Sequence, residues 1–94
     1  MTLHPTTRLS VPQHVYARTF DAEIVLLDFA NGEYFGLDEA GAVLWATVAA
    51  GGTIDEAVSK VVASFDSADP STVERDLLAL TSSLVAAGLL QISG

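Results

Sequence analysis

Between Glu23 and Gly41 the apolar residues fall into two short runs, Ile24 to Phe29 and Tyr34 to Leu37, split by Asn31-Gly32. Asn-Gly tolerates the positive φ angles of a two-residue turn better than other pairs, so the stretch predicts a β-hairpin. Pairing outward from that turn sets Phe29 opposite Tyr34, Asp28 opposite Phe35, Leu27 opposite Gly36 and Leu26 opposite Leu37. Directly opposed residues share a face. One face then carries Ile24, Leu26, Phe35 and Leu37, and the other Val25, Leu27, Phe29 and Tyr34. Both are apolar, although an antiparallel sheet usually leaves one face wet. The second face therefore calls for a cover: the N-terminal arm, a second copy of the chain as a homodimer, or a partner protein. The pattern does not rank the three.

Upstream, the stretch from Gln13 to Phe20 alternates, with Val15, Ala17 and Thr19 on one side and Tyr16, Arg18 and Phe20 on the other. This predicts a strand. A short link at Asp21-Ala22 lets it pair beside the Glu23 strand, giving a three-stranded antiparallel meander in which the Tyr34 strand is an edge. Met1 to Pro12 holds two prolines, several Ser and Thr, and no period. It is expected to be a loosely held, flexible arm, leaving residues 13–94 as the domain.

Downstream the period changes to that of helices. Asp38 can accept a hydrogen bond from free backbone donors, so it is expected to cap a helix from Glu39 to about Ala50. Ala40, Val43, Leu44, Thr47 and Val48 form its stripe, and Gly51-Gly52 ends it. Thr53-Ile54-Asp55-Glu56 reads as a capping box, and Ile54, Ala57, Val58, Val61, Val62 and Phe65 follow at helical spacing. Asp66 to Asp69 is a polar turn. Asp69-Pro70 supplies a cap and then the helical position where proline is harmless, so a third helix runs to about Ala87 with Gly88 as its stop. The whole is α+β, three strands followed by three helices.

The third helix has two apolar stripes. Val73, Leu77, Leu80 and Leu84 make one, and Leu78 and Val85 make another displaced by about 100° around the axis. A small domain can wrap such a helix on two sides, as broad apolar faces generally are wrapped. Alternatively, one flank lies beside the edge strand, and the two make an apolar trough open to an extended peptide.

Composition narrows the function. Ninety-four residues suit one small domain, and half of them are apolar, enough for a core. Twelve acidic residues against four basic ones give a net charge of −8. The basic residues Arg8, Arg18, Lys60 and Arg75 are scattered, so nothing offers phosphate backbones a basic face. There is no cysteine, which excludes disulfides, thiolate metal sites and cysteine nucleophiles. The N-terminus has no apolar signal core and no run reaches the roughly 20 apolar residues of a membrane span. A soluble, unprocessed, cytoplasmic protein is expected.

Signs of catalysis are few. His4 and His14 have no carboxylate or second histidine at ligand spacing, so no metal is expected. Asp28 is read as meeting backbone donors near the turn, and Asp38 as a cap, rather than as an acid-base pair. Thr81-Ser82-Ser83 has no partnering base, and no glycine-rich phosphate loop occurs. No cofactor and no enzymatic activity are expected.

Several pieces in order carry a resemblance. They are an apolar strand ending in Asp, then Asn31-Gly32-Glu33-Tyr34-Phe35-Gly36-Leu37-Asp38, then Gly41-Ala42-Val43-Leu44-Trp45. A Gly-Gly-Thr-Ile-Asp-Glu-Ala joint, Val73-Glu74-Arg75-Asp76-Leu77 and Gly88-Leu89-Leu90 come after them. From about Val15 to Ile92 the chain resembles the PqqD-like family. These are the recognition elements of ribosomally made, post-translationally modified peptide (RiPP) pathways, and the chain is most similar to the free-standing members of lasso-peptide clusters. The resemblance implies a winged helix-turn-helix-like fold that binds the leader segment of a precursor peptide. The leader would add as an antiparallel strand to the third strand, with side chains entering a cleft against the third helix.

On that footing the leader-binding residues are Glu33, Tyr34, Phe35, Gly36 and Leu37 on the strand, with Val73, Asp76, Leu77 and Leu80 on the helix. The implied partners are a precursor peptide and a separate leader peptidase. Two other family-level readings are a chaperone of a pyrroloquinoline quinone-like pathway and a winged-helix DNA-binding protein. The charge of −8 argues against the latter. An acidic carrier protein would need a modifiable Ser leading a helix. Thr53 and Ser71, the latter behind Pro70, fit that poorly.

Overall fold

Residues 3–65 and 68–93 are described by a computed structural model. The elements are β1 (Leu9–Ser10), β2 (Val15–Phe20), β3 (Glu23–Asp28), β4 (Glu33–Leu37), α1 (Glu39–Ala49), α2 (Ile54–Ser64), α3 (Pro70–Ala86) and β5 (Gln91–Ile92). Strands β2, β3 and β4 form the expected antiparallel meander, with β4 at an edge. Three helices come next in the chain.

The hairpin register differs from the expected one. Asp28 pairs with Glu33, Leu27 with Tyr34, Leu26 with Phe35, Val25 with Gly36 and Ile24 with Leu37, so the loop has four residues rather than two. The cause is Asp28 itself. One carboxylate oxygen accepts the backbone N–H groups of Ala30 and Asn31 at 3.0 and 3.1 Å, and the other accepts the Asn31 side-chain amide at 2.9 Å. Its carbonyl accepts from Gly32 N at 2.8 Å, and Gly32 adopts φ +70°. This side-chain capture closes a longer turn than Asn-Gly alone would. Each partner moves by two residues, so parity survives and the faces are the expected ones. Ile24, Leu26 and Leu37 point into the core.

All three expected helix caps form. Asp38 accepts from Gly41 N at 2.9 Å, Thr53 from Glu56 N at 3.2 Å, and Asp69 from Thr72 N at 3.0 Å. The buried face of α1 is rotated from the expected stripe. It consists of Gly41, Leu44, Trp45, Thr47 and Val48, with Ala40 and Val43 only half-buried. Gly41 has no side chain, so a neighbouring element can approach there, and that turns the helix. Helix α2 buries Ile54, Ala57, Val58 and Val61, and α3 buries Leu77, Thr81 and Leu84. Helix α1 is central, packing on β3, β4, α2 and α3.

From Leu3 onward, the segment expected to be a loose arm is tied down. Strand β1 pairs antiparallel with β5, Leu9 opposite Ile92, and Leu9 is buried. Ser93 N donates to Arg8 O at 2.9 Å, and Asp55 N to Pro5 O at 2.9 Å. Leu3 and Val11 pack against the core. Two-residue strands carry no legible period, and their partners lie about 80 positions apart. The polar turn expected at Asp66 to Asp69 lies partly outside the described residues.

Candidate functional site

Strand β4 has one neighbour, β3, so its outer row of backbone donors and acceptors has no strand partner among the described residues. Such an edge is a template for pairing with another chain. Glu33, Tyr34 and Gly36 are exposed, Tyr34 at 75%, and Phe35 at 36% sits on the boundary between surface and core. Leu37 is 5% exposed and anchors the strand's end in the core.

The start of α1 draws α3 up to the end of β4. Asp38 caps α1, and Gly41 lies in the first turn above it. A Cβ at Gly41 would stand 3.2 Å from the Leu37 Cβ and 3.2 Å from the Leu80 Cδ2. The missing side chain thus lets the end of β4, the first turn of α1 and Leu80 of α3 meet at one point.

The helix residues singled out from the sequence do not share one environment. Leu80 is half-buried and reaches Gly41, and Val73 is half-buried against the core. Leu77 is 4% exposed and is a core residue. Asp76 is exposed, with Arg75 Nε 3.9 Å away, a solvated pair of little energetic weight. Gly41 was missing from the sequence-derived set. It stood in the motif, but a glycine inside a helical pattern signals a close approach without saying of what.

Behind the hairpin turn lies a second polar cluster that spacing could not reveal. His14 Nε2 is 3.2 Å from Gly88 O and 3.9 Å from an Asp28 carboxylate oxygen. Asp28 titrates below the ordinary carboxylate range. The Asn31 side-chain amide is the largest cause, burial opposes it, and the Asn31 and Ala30 backbone donors and His14 add to it. Among the described residues no three metal-ligating side chains converge, and no helix is long and apolar enough to cross a membrane.

A three-stranded sheet with an open edge, backed by three helices, defines a winged-helix-like α+β domain. Residues 23–90 match the family model for "Coenzyme PQQ synthesis protein D (PqqD)", and the chain belongs to that family. Two solved structures share the fold. "TbiB1 in Complex with the TbiA(beta) Leader Peptide" is 34% identical, with a TM-score of 0.80, over 90% of this chain and 98% of that one. "Lasso peptide synthetase B1 complexed with the leader peptide" is 23% identical, with a TM-score of 0.79, over 88% and 96%. No curated protein matches the chain. The family resemblance seen in the motifs and the fold it implied are thereby shown.

Proposed function

We propose that this protein is a non-catalytic RiPP recognition element. It binds the leader segment of a precursor peptide by strand addition to β4 and holds it for a separate leader peptidase, in the cytoplasm and in a lasso-peptide pathway. The observation that carries the reading is the unpaired β4 edge, ending where Leu37, Gly41 and Leu80 meet. The relative that is 34% identical over nearly its whole length is named as a leader-peptide complex, which supports the same role here. In strand addition the backbone hydrogen bonds give affinity and the alternate side chains give selectivity.

A leader side chain projecting inward from such a strand would meet Phe35 and the α3 flank formed by Val73, Asp76, Leu77 and Leu80. Leu77 would serve only as floor, being core. Holding the leader raises the concentration of its cleavage site near the peptidase, so a weak encounter becomes nearly intramolecular. No group on this chain needs to take part in bond cleavage.

The test is fluorescence anisotropy with a labelled leader from a precursor encoded beside this gene, with salt varied. Saturable binding that survives moderate salt, and is lost when alternate backbone amides of the leader are N-methylated, is the expected result. Binding indifferent to N-methylation would remove strand addition. Absence of binding to every neighbouring leader would remove the role.

A further inference from the structure

The face of the sheet turned away from the helices is bare among the described residues. Its rows run across the three strands: Tyr16, Leu27 and Tyr34 in one, Arg18, Val25 and Gly36 in the next. Phe29 extends the first row, its ring edge-on to Tyr16 at a centroid distance of 5.1 Å. Tyr16, Phe20, Phe29 and Tyr34 are 60%, 57%, 67% and 75% exposed. Residues 3–12 pack elsewhere, so that part of the arm does not cover this face.

We infer that the occupant of this face is a second copy of the chain, packed face to face about a two-fold axis running along β3. The argument is shape and charge. Such an axis exchanges β2 with β4. It therefore carries Arg18 of one copy onto Gly36 of the other, and Tyr16 onto Tyr34. Gly36 lines a shallow cavity with Phe20, Glu23 and Val25, and a Cβ built there stands in open space. Knob and hole lie in the same row on opposite sides of the axis, which is the condition for a self-complementary, isologous contact.

Charge points the same way. The chain carries −8, yet the strand residues of this face contribute one positive and one negative group, Arg18 and Glu23. The repulsion between copies is thus long-range and screened by salt, while the contact itself is close to neutral. Area sets the strength. Rings of this size bury 150–250 Å² each, so four rings so exposed offer roughly 500 Å² per copy and about 1,000 Å² per pair, the lower limit of a specific interface. The dimer is accordingly weak and reversible. Strand β4 keeps its free edge in it.

Sedimentation velocity of the full chain, from low to several hundred micromolar and at two salt concentrations, tests this. A monomer–dimer equilibrium that tightens as salt rises is expected. Arg18→Ala and Tyr16→Ser should each loosen it about tenfold, a 1.4 kcal/mol effect. Gly36→Leu, whose Cβ would meet none of the chain's own atoms, should fill the notch and abolish the dimer. Circular dichroism confirms that each variant is folded. Glu23 lies on the axis near its own copy, so Glu23→Gln should tighten association. A chain that stays monomeric throughout overturns the inference. So does a dimer that weakens with salt, or one that ignores the Gly36→Leu and Tyr16→Ser changes.

Discussion

The side-chain amide of Asn31 donates to the Asp28 carboxylate at 2.9 Å, and this contact sets the hairpin register. Because it favours the ionised form, it makes the hairpin sensitive to acid. The folded-state pKa of Asp28 lies below its unfolded value, so the unfolded chain takes up this proton first as pH falls. The stabilisation is fully present above the unfolded value, about 3.9. It disappears as pH drops through the folded value. Asp28→Asn should lower the thermal midpoint at neutral pH, and the gap to wild type should close below about pH 4. Melting curves across pH give the answer; a gap independent of pH would mean the carboxylate's charge is irrelevant.

Phe35 and Leu77, both assigned to the leader cleft, should behave differently. Leu77→Ala leaves a cavity in the core and should cost about 2–4 kcal/mol in urea unfolding. Phe35→Ala removes a ring already one-third in water and should cost less than about 1.5 kcal/mol, while leader affinity falls at least tenfold. Equal stability losses for the two would place Phe35 in the core and take it out of the cleft.

Gly41→Ala sets helix propensity against packing. Alanine is favoured by about 1 kcal/mol within a helix. The new methyl would press on the Leu37 Cβ, which cannot swing away, as well as on the mobile end of Leu80. Overpacking costs about 1–3 kcal/mol, so a net loss of about 1 kcal/mol is expected together with weaker leader binding. Gly52→Ala should be worse for stability, because its Cβ would lie 2.9 Å from the Thr47 carbonyl oxygen, which is backbone. Leader affinity should be unchanged there. Chemical denaturation and anisotropy on both variants separate the two effects.

Leu9→Ala tests the β1–β5 pair. Leu9 is buried opposite Ile92, so its truncation should cost about 2–4 kcal/mol. Hydrogen exchange should show Ser93 N, bonded to Arg8 O, losing protection first. A loss below about 0.5 kcal/mol, the range of surface changes, would mean that the segment is an appendage.

What could be read from the sequence was local. Asp38, Thr53 and Asp69 announce their helices because a cap acts over three residues, and α2 buries its predicted face because Ile54 to Val61 repeats cleanly. The edge position of β4 came from the order of a meander with short links. The misread parts depended on side chains acting out of pattern. Asp28 lengthened a turn that Asn31-Gly32 alone would have made shorter, and Gly41 rotated α1 by leaving room. Leu77 and Leu80 differ in burial because the approach of α1 sets the rotation of α3, and no stripe count contains that. The pairing of Leu9 with Ile92 joins the two ends of the chain, beyond any window of periodicity.

That last pairing also gives the polypeptide the topology of a nearly closed ring. Arg8 and Ser93 are hydrogen-bonded neighbours, so two segments 85 positions apart in sequence lie side by side at one corner of the domain. A linker long enough to run from Ser93 back to Leu3 would complete a circular chain with the described helix and sheet contacts kept. Cyclisation would remove the open-ended states of the unfolded chain, so the circular form should outlast the linear one on heating.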